Sequence, residues 1–227
     1  HLKKCVLELG GSNAFIILED ANLEKAVAIA VNARMQNAGQ SCIAAKRFLV
    51  HENIVEEFVA KLKVAIQNLK TGNPFDKEMQ IGSLARVDLA EELEAQVQKS
   101  IQMGADLIVG GTRKEAFYEP TILANVTTEM PVFNEETFGP VASIITFKTL
   151  EEAIELSNQS EFGLGVSIFT QDIDFIKTKI SAFNEGAVFI NDMVKSDPRL
   201  PFGGIKKSGY GRELAEDGIK EFVNVKT

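Results

Sequence analysis

Two periodicities alternate along the chain. Behind Asp20-Ala21-Asn22, a segment of capping side chains, Leu23, Ala26, Val27, Ala30 and Val31 recur at helical spacing and predict a helix over residues 20–34. Residues 12–18 and 47–50 are instead short continuous apolar runs, the pattern of strands covered on both faces. Asn53 precedes an amphipathic stripe of Val55, Phe58, Val59, Leu62 and Ile66, and its amide is placed to cap a second helix, which Gly72-Asn73-Pro74 stops. Residues 85–103 predict a polar amphipathic helix, followed by a strand at 106–109. Further strands are expected at 141–147, 165–169 and 187–190, with helices at 150–157 and 172–180 between them. Strands alternating with helices imply βαβ units, hence an α/β fold with a mainly parallel sheet.

Composition narrows the function classes. A chain of 227 residues with 45% hydrophobic content suits one domain with a substantial core. The net charge of −8, with Lys and Arg scattered, argues against nucleic acid or an anionic membrane as partner. No apolar run approaches the roughly 18 residues of a membrane span, and His1-Leu2-Lys3-Lys4 lacks a signal-peptide pattern. The two cysteines are far apart and in no Cys-x-x-Cys setting, which fits a reducing cytoplasm without metal or structural disulfide. Cys5, in the first apolar run, is expected to be a small core residue.

Cys42 is different. It ends the small polar turn Asn37-Ala38-Gly39-Gln40-Ser41, between a helix and a strand, where an exposed thiol can meet a ligand from a fixed backbone. The chain has only His1 and His51. At about 3.3 Å per strand residue, His51 lies more than ~10 Å from the thiol, so a Cys/His dyad would need His1. A carboxylate is the better partner. Glu8 interrupts an apolar run just before Gly10-Gly11; its simplest structural alternative is an ion pair with Lys3 or Lys4.

Glu8-Leu9-Gly10-Gly11 and Gly39-Gln40-Ser41-Cys42 together resemble the signature pair of the NAD(P)-dependent aldehyde dehydrogenases. Glu136-Thr137-Phe138-Gly139-Pro140, Asn191 after an apolar run, and Pro201-Phe202-Gly203-Gly204-Ile205-Lys206-Lys207-Ser208-Gly209 fit the same family in the same order. The match extends from about residue 3 to the last residue. The resemblance implies helices on both faces of the sheet, and a catalytic domain spanning 1–227. It also implies that the Rossmann-type cofactor part lies before residue 1, since no Gly-x-Gly-x-x-Gly turn follows a strand here.

By the same resemblance, Cys42 is the nucleophile toward an aldehyde, and Glu8 is the base that activates water against the resulting thioester. Glu136 and Phe138 would hold the nicotinamide ribose of NAD or NADP, a carboxylate offering two acceptor oxygens to vicinal hydroxyls. Leu9 and Gly10 would add backbone contacts near the nicotinamide. Phe202 belongs to a rigid turn at the substrate entrance, with core filling as its alternative. The sequence looks most like the succinate-semialdehyde dehydrogenase branch. Ser196 matches a serine that anchors the distal carboxylate there, and Lys195 and Arg199 flank it. Gln36 stands where some members carry an arginine for that carboxylate, which leaves glutarate semialdehyde or a broader aldehyde range open. The full-length protein is expected to be a homo-oligomer taking a small aldehyde. A coenzyme-A-acylating relative, which keeps the cysteine, and an inactive binding protein are the rival readings; Glu8 argues for hydrolysis against the first, and Cys42, Glu8 and Glu136 together speak against the second.

Overall fold

A computed structural model describes residues 2–227. The chain opens with a short strand, β1 (Leu7–Glu8), then β2 (Asn13–Ile17), helix α1 (Leu23–Met35) and β3 (Ala45–His51). Helices α2 (Val55–Gln67) and α3 (Val87–Gln102) lead to β4 (Asp106–Val109), the hairpin β5 (Arg113–Lys114) and β6 (Phe117–Tyr118), and β7 (Thr121–Ala124). A turn of helix, α4 (Pro131–Asn134), precedes β8 (Val141–Phe147) and α5 (Leu150–Asn158). Then follow β9 (Phe162–Gly163), β10 (Val166–Phe169), α6 (Ile173–Lys177), β11 (Val188–Ile190), β12 (Ile205–Lys206), β13 (Gly209–Tyr210) and α7 (Ala215–Lys220).

Seven strands form one sheet in the order β11-β10-β2-β3-β8-β7-β4. All neighbours are parallel except β4 with β7. The connection β2-α1-β3 steps one way across the sheet, and β8-α5-β10 steps back the other way. Right-handed crossovers therefore put α1 and α5 on opposite faces. That covering explains the unbroken apolar runs: every residue of β2 is buried, and Phe15 stacks on Phe169 at 4.4 Å and tilts against Phe48 at 5.2 Å.

The expected α/β class and mainly parallel sheet hold. Asn22 caps α1 as its position suggests, accepting from the Lys25 amide. Asn53 does not cap α2: its amide is drawn to Glu19 Oε1 at 2.8 Å, and the helix starts after Ile54 without a side-chain cap. The helix expected at 172–180 is shorter, α6 giving way to a separate 3₁₀ turn at Ile180–Ala182. Strand β7, with the polar Thr121 at its head, is not legible as a strand in the sequence. His51 ends β3 with Nε2 bonded to the Lys148 carbonyl and its ring edge-on to Phe147, far from a catalytic role. His1 lies outside the described residues.

Candidate functional site

Three parallel neighbours, β2, β3 and β8, are each preceded by one of the segments singled out by the sequence. Residues 8–11, 36–42 and 136–140 therefore converge on one end of the sheet, the amino edge of its strands. Topology alone makes this juxtaposition.

The turn that carries Cys42 is unusual in its backbone. After α1 ends, Asn37 (φ 52°) and Ala38 (φ 52°) both adopt left-handed conformations, and Gly39 follows at φ 75°. Gly39 is required there twice over: a Cβ would be strained by that φ and would run into the Gly139 carbonyl. Asn37 Nδ2 and the Gln40 carbonyl close the turn at 2.8 Å. Beneath it, the wholly buried Arg34 donates from Nη2 to the Gly39 carbonyl at 2.6 Å and reaches the Thr137 carbonyl at 3.5 Å, stitching the 36–42 and 136–140 segments together.

Gly11 fixes the third segment. A Cβ on Gly11 would run into the carbonyl oxygen of Cys42, so the two backbones touch. The Gly11 N–H donates to Glu136 Oε1 at 2.9 Å, and Glu136 Oε2 lies directly over Gly10. Lys46, fully buried, completes the knot. Its Nζ donates to the carbonyls of Ser41 (3.1 Å), Cys42 (3.3 Å) and Ala44 (3.3 Å), and stands 3.6 Å from Glu136 Oε1.

Cys42 is a free, half-buried thiol. Burial pushes its pKa up; the Lys46 charge and the backbone amides of Ile43 and Cys42 oppose this, while Glu136 reinforces it. Glu8 also sits above its ordinary range, first through burial and then through Glu213, with Arg212 opposing. Both Glu8 carboxylate oxygens are buried without a hydrogen-bond partner among the described residues. Its strand pairs with β13, Glu8 opposite Gly209, and its Oε1 lies against Gly203. The alternative ion pair with Lys3 or Lys4 does not form with Lys4, which is engaged by Glu221 at 2.5 Å.

The remaining expected residues are spread around this knot. Phe138 (39% exposed) and Glu136 line an open cleft of about 560 Å³ against Leu93 and Gln96 of α3. Leu9 is half exposed. Gln36 ends α1 with a buried, unpartnered Nε2. Phe202 is half-buried, and its backbone bridges Glu213 in the turn that covers Glu8. Ser196 is exposed on the loop after β11, away from the knot's hydrogen bonds. Its flanking charges are taken: Lys195 pairs with Asp192 at 2.5 Å and Arg199 with Asp197 at 2.6 Å. Asn191 serves the opposite end of the sheet, exchanging hydrogen bonds with the Thr170 backbone.

Cys5 is exposed, which corrects the expectation of a core residue: β1 begins only at Leu7, so the residues before it lie outside any covered strand. Arg34 and Lys46 are the site residues that sequence reasoning missed. Their signal was present, as a cation in the last turn of an otherwise apolar helix and a Lys-Arg pair opening an apolar strand.

A doubly wound α/β domain with a cysteine turn, a double glycine and a carboxylate joined at the amino edge of its sheet is the class this geometry defines. The chain belongs to the aldehyde dehydrogenase family, whose model matches residues 1–227. It is 51% identical to the succinate semialdehyde dehydrogenase [NAD(P)+] Sad of Escherichia coli K12, over all of this chain and 50% of that protein. Among solved structures it resembles a succinate-semialdehyde dehydrogenase from Burkholderia pseudomallei, with a TM-score of 0.94 and 38% identity over 97% of this chain and 46% of that one. It also resembles glyceraldehyde-3-phosphate dehydrogenase GapN from Methanocaldococcus jannaschii in complex with NADP (TM-score 0.95, 40% identity, 99% of this chain and 49% of that one). The chain spans about half the length of the curated relatives it matches. Among the described residues no helix is long and apolar enough to cross a membrane, and no side-chain cluster could hold a metal ion.

Proposed function

We propose that this chain is the catalytic domain of an enzyme that oxidises an aldehyde to its carboxylic acid with NAD or NADP, and that the aldehyde carries a distal carboxylate. The observation that supports this best is the knot itself: Cys42, Gly11 and Glu136 from three segments are held in mutual contact by Lys46 and Arg34. The succinate-semialdehyde dehydrogenases among the relatives support the substrate class, and a short dicarboxylate semialdehyde such as succinate or glutarate semialdehyde fits it.

The Cys42 thiol gives its proton to Glu8, which passes it to solvent, as Sγ adds to the aldehyde carbon, forming the S–C bond while the carbonyl π pair moves to oxygen. The Cys42 N–H is the local donor for that oxyanion. Bound nicotinamide supplies the acceptor for the hydride that leaves as the adduct becomes a thioester. Glu8 then takes a proton from water attacking the thioester carbon, and the C–S bond breaks to release the acid and the thiol. Glu136, with Oε2 over Gly10, and Phe138, in the open cleft, are the groups that would hold the nicotinamide ribose; an acceptor oxygen beside an exposed aromatic edge fits a sugar diol. The pyrophosphate and adenosine would be held by residues outside this chain. Gln36, Ser196 and Phe202 would contact the substrate. The full-length enzyme would be a cytoplasmic homo-oligomer.

Assay of the full-length enzyme with succinate and glutarate semialdehydes, each with NAD and NADP and with or without coenzyme A, tests this directly. Cofactor reduction that disappears in Cys42→Ala and does not need coenzyme A is the expected result. Turnover that requires coenzyme A would replace hydrolysis by acyl transfer, and no reduction with any aldehyde would end the proposal.

A further inference from the structure

Lys46 is wholly buried at the start of β3, and among the described residues the polar contacts of its ammonium are all to the site. Three are carbonyls at the end of the Cys42 turn and just beyond it, including that of Cys42 itself. The fourth is Glu136. A buried ammonium is costly unless its donors are met, and here three carbonyls and a carboxylate meet them. The charged groups around it are Arg34 from α1, Glu136 from the turn before β8, and the Cys42 thiol. No neutral side chain of that length could replace these contacts.

We infer that Lys46 is a positioning residue that couples the two halves of the reaction: one ammonium holds the Cys42 turn on one side and the Glu136 carboxylate on the other, so thiol reactivity and cofactor holding share a single charge. This inference rests on the function proposed above for its cofactor half, whereas its thiol half stands on geometry alone. Through space the same charge favours the Cys42 thiolate against burial. Glu136 carries the opposite sign, and Lys46 is what keeps it from facing the sulfur uncompensated. Burial, followed by the nearby Arg34 charge, brings the Lys46 pKa down to about 7, against the pull of Glu136. The coupling is therefore strongest below neutral pH and fades above it.

The test uses the full-length enzyme carrying Cys5→Ser, because exposed Cys5 would compete for reagent. The rate of Cys42 alkylation by iodoacetamide is measured against pH in the parent, Lys46→Met and Lys46→Arg, with a cooperative melt to establish folding. Lys46→Met should slow alkylation at and below pH 7, where the ammonium is charged, by up to about tenfold, the factor carried by one pKa unit. Lys46→Arg should restore most of that rate, and the KM for NADP should rise in Lys46→Met more than in Lys46→Arg. An unchanged alkylation profile in folded Lys46→Met overturns the inference. Should neither variant fold, Glu136→Gln decides: with its carboxylate partner removed, the Lys46 charge should raise the rate of Cys42 alkylation, and an unchanged rate would overturn the inference. If the parent turns over no aldehyde while the alkylation shift persists, the proposed reaction fails and the coupling of Lys46 to Cys42 stands.

Discussion

The two edges of the parallel sheet are built to opposite specifications. At the carboxyl edge, Asp20 follows β2 and accepts from Thr170 Oγ1 at 2.8 Å, the Gln171 amide at 2.9 Å and the Asp172 amide at 3.1 Å. Asn191 ties off Thr170 from β11, and His51 ties off Lys148. Every one of these polar groups is spent on structure. At the amino edge, Glu8 has two buried oxygens with no partner, Gln36 a buried amide nitrogen, and Cys42 a free thiol. Open α/β sheets ordinarily bind ligands beyond the carboxyl ends of their strands. On the function proposed above this domain would invert the arrangement, with its chemistry at the edge where the unsatisfied groups gather.

The largest expected effect is on the amino edge. In the full-length enzyme Glu8→Gln should lower turnover by about 10²–10⁴-fold, the usual contribution of a general base, while leaving a pre-steady-state burst of reduced cofactor. A rapid-mixing measurement in which burst and turnover fall together would move Glu8 from thioester hydrolysis to an earlier step.

A second, smaller effect separates the edges by pH. Glu185, in the loop that leads into β11 at the amino edge, is pushed up to about 8 by burial, with Arg47 and Lys206 opposing. A carboxyl whose folded pKa is raised stabilises the fold fully below its unfolded value of about 4.5 and loses that contribution as pH climbs toward 8. Thermal melts from pH 5 to 9 should show this decline, on the order of 1–2 kcal/mol after allowing for partial exposure, and Glu185→Gln should flatten it. A parallel decline in the variant would assign it to other groups.

The smallest effect belongs to the carboxyl edge. Asp20→Ala should cost about 1 kcal/mol in chemical denaturation, as an exposed carboxylate loses its hydrogen bonds, and should leave kcat and KM unchanged. Altered kinetics in that variant would break the contrast between the two edges.

Much of this was legible in the chain. Continuous apolar runs announced strands covered on both faces, and Asn22 marked the start of α1, because burial and capping leave local traces. The segments carrying Glu8, Cys42 and Glu136 were recognisable as motifs, yet their meeting is a product of strand order, which no local pattern encodes. Lys46 and Arg34 escaped notice because cations beside apolar runs ordinarily reach for solvent, and only the folded turn supplies the carbonyls that keep them inside. Cys5 misled for the converse reason: it sits in an apolar-looking stretch that no other strand covers. The charges flanking Ser196 are taken up by Asp192 and Asp197 within their own loop, a pairing that only the folded loop displays.

The half-burial of Cys42 has a consequence beyond turnover. Peroxide attacks thiolates, and susceptibility follows thiolate character and exposure. Burial holds the Cys42 thiol above its ordinary pKa, and a thiol so held, with its surface partly covered, is a poorer target for peroxide than an exposed, ionised cysteine. In the role proposed above, Cys42 would thereby keep its sulfur reduced for longer between substrates.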